Sequence, residues 1–139
     1  LRVGTRSAYP LARVVAERLT ATRALLMGNA AQTIHPIGAQ GFNLGLRDAL
    51  TLAELLDGGD PGTDTLLAGY ADARREDRER TLAFSDGLAR VTANDSFPMH
   101  VLRSLGLLAV GNSADLSLPI VSAAMGFRGR VPALARGRA

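Results

Sequence analysis

Apolar residues recur every three or four positions in four stretches of the chain, and this spacing predicts four helices. The predicted helices cover about 42–56, 63–91, 99–111 and 114–126. Their limits are set by three breaks rich in Gly, Pro, Asn or Asp: DGGDPG, NDSFP and Gly111-Asn112. Ahead of the helices, the apolar and β-branched runs at 8–17 and 24–28 predict two strands.

Two polar segments separate these elements. RLTATR (18–23) predicts a turn between the strands, and 29–40 predicts a loop because Pro36 disfavours helix at His35. The predicted fold class is therefore α+β and mostly helical: two short strands, a loop and about four helices.

Opposite charges alternate along the second predicted helix, in DARREDRER (72–80). The helical spacing allows ion pairs Arg75–Glu79 and Glu76–Arg80, so we interpret this run as a solvated face. The apolar residues of the last two helices are interpreted first as core. The alternative is that they shelter a prenyl tail or dock on a membrane, with Arg128 and Arg130 near lipid phosphates.

Composition narrows the classes of function. The chain has 139 residues, 47% of them hydrophobic, which is enough for a packed core. All 16 basic residues are arginine, and they are dispersed among 13 acidic residues, which does not favour a nucleic-acid-binding face. The absence of cysteine excludes disulfides and thiolate chemistry, and two histidines make a histidine-rich metal site improbable, so no metal is expected.

The stretch GNAAQTIHPIGAQGFNLGLRDA (28–49) is a glycine-punctuated loop that leads onto the start of a helix. A helix N-terminus presents unpaired N–H groups with partial positive charge, which suits an anionic or carbonyl-bearing ligand. Gly41 lets a ligand approach the backbone, and Gln40 and Asn43 can add hydrogen bonds. Arg47 and Asp48 could form a structural pair or fix the loop.

The same stretch closely resembles the second flavin motif of class A FAD-dependent aromatic monooxygenases, approximately G-D-A-A-H, a proline, then G-Q-G-x-N-x-G-x-x-D-A. The residues in register are Gly28, Ala30, Ala31, Pro36, Gln40, Gly41, Asn43, Gly45, Asp48 and Ala49. Asn29, Gln32 and the phrase TIHP resemble the ubiquinone-biosynthesis branch, which includes the 2-polyprenyl-6-methoxyphenol hydroxylases. The resemblance is specific over 9–57 and weaker over 64–139.

The resemblance implies a set of FAD contacts. Gly28 and Asn29 would meet the ribityl–pyrophosphate portion of FAD, and Pro36 would lie against the isoalloxazine ring. The turn Gln40, Gly41, Phe42 and Asn43 would face the N1–C2=O edge of that ring. His35 is either a proton relay near the flavin or a loop residue set by its proline; no catalytic residue is certain.

The resemblance also implies a reaction. NAD(P)H would reduce FAD, O₂ would add at C4a, and the flavin C4a-hydroperoxide would hydroxylate a phenol, in this branch a prenylated one made during ubiquinone biosynthesis. The resemblance implies an enzyme in the cytoplasm or peripheral on the inner membrane. It also implies contact with a ubiquinone-synthesis complex and a homodimer as candidate assemblies.

Two departures qualify this expectation. Ala39 stands where the family typically has glycine, which could weaken flavin affinity. The G-x-G-x-x-G fingerprint for the ADP moiety is not found in these residues, and the chain begins with Leu1. We therefore expect the C-terminal portion of a larger FAD/NAD(P)-binding Rossmann-type enzyme, inactive alone and binding FAD weakly or not at all.

Within that portion, the expected division is 1–62 as the end of the FAD-binding domain and 63–139 as a C-terminal helical region. Two rival interpretations belong to other classes. One is a non-catalytic helical interaction module that retains a decayed flavin loop. The other is a basic nucleic-acid-binding domain, which the interspersed acids and the aromatic content of 4% disfavour.

Overall fold

The computed structural model of the chain describes residues 4–8, 10, 12–36, 40–124 and 133. Four two-residue strands come first: β1 (Val14–Val15), β2 (Thr20–Ala21), β3 (Ala24–Leu25) and β4 (Gln32–Thr33), with a 3₁₀ turn at Gly28–Ala30 before β4. Four helices follow: α1 (Gln40–Leu55), α2 (Asp64–Ala93), α3 (Phe97–Asn112) and α4 (Ala114–Ala124). The mostly helical character and the four helices of the described residues agree with the sequence prediction.

The strands form two small antiparallel sheets, and here the prediction was partly wrong. β1 pairs with β4, with Val14 opposite Thr33, and β2 pairs with β3 as a hairpin. The runs 8–17 and 24–28 were predicted too long, while β2 lies in the predicted turn and β4 in the predicted loop. A strand needs a hydrogen-bonded partner, and the partner of β1 is a polar segment without an apolar pattern.

The helix limits agree with the prediction to within about two residues. The Thr63 hydroxyl accepts a hydrogen bond from the Leu66 N–H at 3.4 Å and so caps α2. In the connection before it, the guanidinium of Arg23 donates to both carboxylate oxygens of Asp60, at 2.8 and 3.0 Å. These bonds to Arg23, with one from the Gly62 N–H, lower the pKa of Asp60 and tie the β2–β3 turn to the α1–α2 connection.

The core lies where α1 and α2 pack together with the small sheets against them. Leu19, Ala31 and Tyr70 form one buried cluster, against which Leu25, Leu52 and Leu55 pack. The Tyr70 hydroxyl donates to the main-chain oxygen of Leu26 at 3.3 Å. Burial, with the nearby Asp48 carboxylate as a second cause, raises the pKa of Tyr70 to about 12. The core therefore fixes the segment that leads into Gly28.

Helices α3 and α4 pack against each other, and their apolar side chains are largely exposed. No residue of α3 is buried, contrary to the core packing expected for these helices. The large exposed side chains are Phe97, Val101, Leu102, Leu105, Leu107, Leu108, Leu116, Leu118, Ile120 and Val121. Spacing shows which residues share a helix face but not whether a neighbour covers that face. Arg128 and Arg130 lie outside the described residues.

Within the part of the chain that the structure describes, no single helix is long and apolar enough to cross a membrane. The segments Phe97–Asn112 and Ala114–Ser122, bent by 98° at the break between them, meet the length and composition criteria only as a pair.

Candidate cofactor-binding site

A cleft of about 830 Å³ lies between the 27–36 segment and the first turns of α1. The predicted site residues that line it are Gly28, Asn29, His35, Pro36, Gly41 and Phe42. Met27, Ile34, Gly45 and Leu46 complete its described wall. The structure therefore brings residues up to 14 positions apart, which the sequence analysis assigned to one ligand, around one space.

Two residues that were predicted to contact the cofactor do not line the cleft. Gln40, the first residue of α1, is only 2% exposed and is not part of the cleft lining, and neither is the half-buried Asn43. Ala39, the departure from the family pattern, lies outside the described residues, so the expected effect of its methyl group stays a prediction.

The chemistry of the cleft suits a flat, partly polar molecule. Its volume is within the range of about 300–1,000 Å³ that is typical of small-molecule sites. Among the described lining residues His35 is the only titratable side chain, and the rest are apolar groups, a proline ring, an asparagine and glycine backbone. Phe42 stands at the cleft with 79% of its surface exposed, where a bound ring could cover it.

Bare backbone forms the wall of the cleft at Gly28. This residue has φ +57°, in the left-handed region that glycine adopts without strain. A Cβ built on Gly45 of α1 would lie 3.3 Å from the Gly28 Cα, so the loop rests directly on the helix. A side chain on Gly45 would push the loop away from α1, and a side chain on Gly28 would be strained by the positive φ of that residue. The glycines therefore fit a ligand that approaches main-chain groups closely, as the resemblance implies for FAD.

Asp48 of α1 holds this loop in place through hydrogen bonds. Its Oδ2 accepts from the Gly28 N–H at 2.9 Å and from Nε2 of Gln32 at 3.0 Å. Its Oδ1 accepts from Nε of Arg74 on α2 at 2.7 Å. Of the two alternatives for Arg47 and Asp48, the structure supports the second for Asp48, which fixes the loop.

Arg47 pairs with α2 rather than with its neighbour in sequence. Its Nε lies 2.8 Å from Oδ2 of Asp77, and its Nη2 donates to the Thr81 hydroxyl at 3.4 Å. The same Asp77 oxygen lies 2.7 Å from Nη2 of Arg74, as a charge contact without hydrogen-bond geometry. Two arginines and two aspartates thus alternate in a buried network between α1 and α2.

Arg78 joins the loop to α2 at a second point. Its Nε donates to Oε1 of Gln32 at 2.9 Å, and its Nη2 donates to the main-chain oxygens of Ala16 at 2.8 Å and Ala31 at 3.2 Å. Burial lowers the pKa of Arg78, and the Asp48 carboxylate partly opposes that shift. Gln32, held by Asp48 on one side and Arg78 on the other, therefore anchors β4.

The prediction that 72–80 forms a solvated face was wrong for its centre. Arg74 is 1% exposed and Asp77 is 7% exposed, because both lie against α1. The outer part of the run is exposed as predicted, and Glu76 pairs with Arg80. Arg75 pairs with Asp72 instead of with Glu79.

Sequence reasoning missed Arg74 and Asp77, although a pattern could have revealed them. They fall at three- and four-residue spacing on the same stripe of α2 as the buried Leu67, Tyr70 and Thr81. Charged residues that interrupt an apolar stripe must be paired when they are buried, and Arg47 and Asp48 supply the complementary charges.

Known proteins match most of this chain in sequence. Residues 1–85 match the family described as FAD binding domain. Ubiquinone hydroxylase UbiL of Rhodospirillum rubrum is 41% identical over 129 residues, which cover 89% of this chain and 30% of that protein. Ubiquinone hydroxylase UbiM of Neisseria meningitidis is 34% identical, over 78% of this chain and 24% of its own length.

A mitochondrial relative shows the same partial match. The human ubiquinone biosynthesis monooxygenase COQ6 is 32% identical over 85% of this chain and 26% of its own length. The chain thus spans about a quarter to a third of the length of these curated relatives. The family predicted from the 28–49 motif is confirmed, and FAD is the cofactor of that family. The chain belongs to the FAD-binding domain family, in the group of flavoprotein monooxygenases that includes the ubiquinone-biosynthesis hydroxylases.

Proposed function

We propose that this chain is the flavin-contacting, C-terminal portion of a monooxygenase that hydroxylates a prenylated phenol in ubiquinone biosynthesis. The observation that carries the proposal is the cleft, which brings Gly28, Asn29, Pro36, Gly41 and Phe42 to one space. The names of the relatives support the substrate class, since each is a ubiquinone hydroxylase or a ubiquinone-biosynthesis monooxygenase.

Each wall of the cleft has a role in this proposal. The half-buried Gly28 backbone that lines the cleft and the Asn29 side chain bind the ribityl–pyrophosphate portion of FAD. The N-terminus of α1, at Gln40 and Gly41, stabilises negative charge on the flavin ring because its N–H groups carry partial positive charge. Pro36 and Phe42 cover the ring and exclude water. FAD, when bound, supplies the redox chemistry that NAD(P)H and O₂ drive.

The proposal includes a limit on what the chain does by itself. The relatives are three to four times longer than the matched segments, and the fingerprint for the ADP moiety is not found in this sequence. We therefore propose that this chain alone binds FAD weakly or not at all and does not turn over.

The test is the visible absorbance of the protein expressed from its complete reading frame. We expect bound oxidised flavin, and NAD(P)H oxidation that a prenylated phenol stimulates. A protein that stays colourless after FAD is added contradicts the proposal and favours the non-catalytic interaction module. Gly41→Val should abolish flavin binding because the side chain enters the cleft. Gly69→Val is the matched control, since it places the same group on α2 with no atom within 4 Å of its Cβ.

We also propose that α3 and α4 contact a membrane surface, which suits a prenylated substrate. Their exposed leucines form an apolar surface that is almost free of charge, since Arg103 is turned back to the main-chain oxygens of Val91 and Thr92 at the end of α2. Co-sedimentation of the complete protein with phospholipid vesicles should fall when Leu105 and Leu107 are both replaced by serine. Equal sedimentation of the variant and the parent protein, or none by either, contradicts the proposal.

A further inference from the structure

We propose that Asp48 and Arg74 act together as positioning residues, which set the Gly28 wall of the cleft from α2 and thereby control the affinity for FAD. The identity of the ligand rests on the proposed function above. The inference that these residues position the Gly28 wall rests on the contacts of Asp48 with Gly28 and with Arg74. This part can be tested without ligand.

The contacts converge on one carboxylate. The two oxygens of Asp48 accept from the loop on one side, at Gly28 N and Gln32 Nε2, and from Arg74 Nε on the other. Asp48 is 3% exposed, so water cannot substitute for a missing partner. The hydrogen bond from Arg74 therefore helps to fix the orientation of the Asp48 carboxylate.

Gly28 depends on this carboxylate more than a residue with a side chain would. It has no side chain to pack against α1, and its φ of +57° brings its N–H to Oδ2 of Asp48. Asp48 and Arg74 do not line the cleft, so neither touches a ligand there. Any effect that they have on binding must pass through Gly28, which does line it.

The charge of Arg74 adds a second effect in the same direction. Without the Arg74 guanidinium, the buried Asp48 carboxylate would lose its hydrogen-bonded counter-charge and leave a less compensated negative charge just behind the wall. That charge would oppose a diphosphate or a reduced flavin at the cleft. Arg74→Lys separates the two effects, because lysine keeps the positive charge but replaces the rigid guanidinium with a flexible ammonium.

The neighbouring network provides a matched control. Asp77 is also buried between α1 and α2 and also contacts Arg74, but its carboxylate pairs with Arg47 and Arg74 and not with the 28–32 segment. Asp48→Asn leaves one acceptor oxygen where two are in use, so the amide cannot hold both Gly28 and Arg74. Asp77→Asn makes the same chemical change without touching the loop.

The experiment uses the protein expressed from its complete reading frame. It measures the dissociation constant for FAD, the thermal unfolding midpoint, and hydrogen exchange of the Gly28 amide without FAD. We expect Asp48→Asn to weaken FAD binding by at least tenfold and to speed exchange at Gly28. Asp77→Asn should lower the unfolding midpoint but leave both other quantities within about threefold of the parent protein. Arg74→Lys should fall between them.

The outcomes separate this inference from the proposed function. If both aspartate variants weaken FAD binding equally, or if Gly28 exchange is unchanged in Asp48→Asn, the inference is wrong. If Asp48→Asn does not fold, the comparison of Arg74→Lys with Arg47→Lys decides in the same way. If the parent protein binds no FAD at all, the proposed function fails, and Gly28 exchange alone decides whether Asp48 and Arg74 position the loop.

Discussion

Gly28 and Gly45 lie backbone against backbone, so that a Cβ on Gly45 would be 3.3 Å from the Cα of Gly28. This contact lets the loop that lines the cleft sit directly on α1. Real Cβ atoms rarely come so close to a neighbour, and the neighbour here is main chain that Asp48 already holds. Gly45 is therefore required by packing, although a glycine inside a helix is otherwise unfavourable.

We predict that Gly45→Ala does not stabilise the protein. In an open helical position, replacing glycine with alanine raises the free energy of unfolding by roughly 0.5–1 kcal/mol. At Gly45 the methyl group must push the Gly28 segment away, which offsets that gain. Gly69→Ala on α2 is the control, since nothing lies within 4 Å of its Cβ. Urea unfolding of both variants should show a gain for Gly69→Ala only, and equal gains would show that the loop yields freely.

Arg78→Met should destabilise the protein by about 1–3 kcal/mol, because it removes donors from main-chain oxygens that are partly buried. Arg75→Met, three residues earlier on the same helix, should change the free energy of unfolding by less than about 0.5 kcal/mol, since its ion pair is exposed. Chemical denaturation of the two variants measures the difference. Similar losses would mean that Arg78 does not fasten β1 and β4 to α2.

Tyr70 should make stability fall at high pH. Its pKa is raised to about 12 in the folded protein from an ordinary value of 10, so the folded state holds the proton longer than the unfolded state does. The contribution of Tyr70 is complete below pH 10 and is lost as pH rises toward 12. In a Tyr9→Phe background, absorbance at the tyrosinate band should titrate near pH 12. A midpoint near 10 would contradict the burial of this hydroxyl.

The two leucine environments should respond very differently to truncation. Leu44 is fully buried in α1, so Leu44→Ala should cost about 2–5 kcal/mol through lost burial and a cavity. Leu107 on α3 is 68% exposed, so Leu107→Ala should cost less than about 0.5 kcal/mol. Thermal unfolding of this chain by itself is the measurement. A large loss for Leu107→Ala would show that α3 is covered in solution.

The helices could be predicted because short local sequence segments determine where they begin and end. DGGDPG contains glycine, proline and two aspartates, and the Asp57 side chain accepts from the Gly59 N–H at 3.0 Å to form the turn that follows α1. The strands could not be predicted well, since Gln32 and Thr33 become a strand only through pairing with Val14 and Val15. That pairing joins segments that no local pattern connects.

The residues that line the cleft could be predicted from the sequence, but the buried residues that support its wall could not. Gly28, Pro36 and Gly41 were assigned from a motif, and the structure brings them to one cleft. Arg74 and Arg78, which support the loop, belong to a charge run that resembles an ordinary solvated helix. Whether a charged residue is solvated depends on which residues pack against it. The partner that buries Arg74, Asp48, is 26 residues away in the sequence, so the charge run alone does not show the burial.

The buried network between α1 and α2 has a consequence for anyone who recombines this chain with a relative. A chimera joined within 56–63 would take Arg47 and Asp48 from one parent and Arg74 and Asp77 from the other. If the second parent carries the charged residues in a different arrangement, the hybrid will bury charged side chains without partners between α1 and α2. Productive crossovers should therefore keep the four positions from a single parent, even where the two sequences align without a gap.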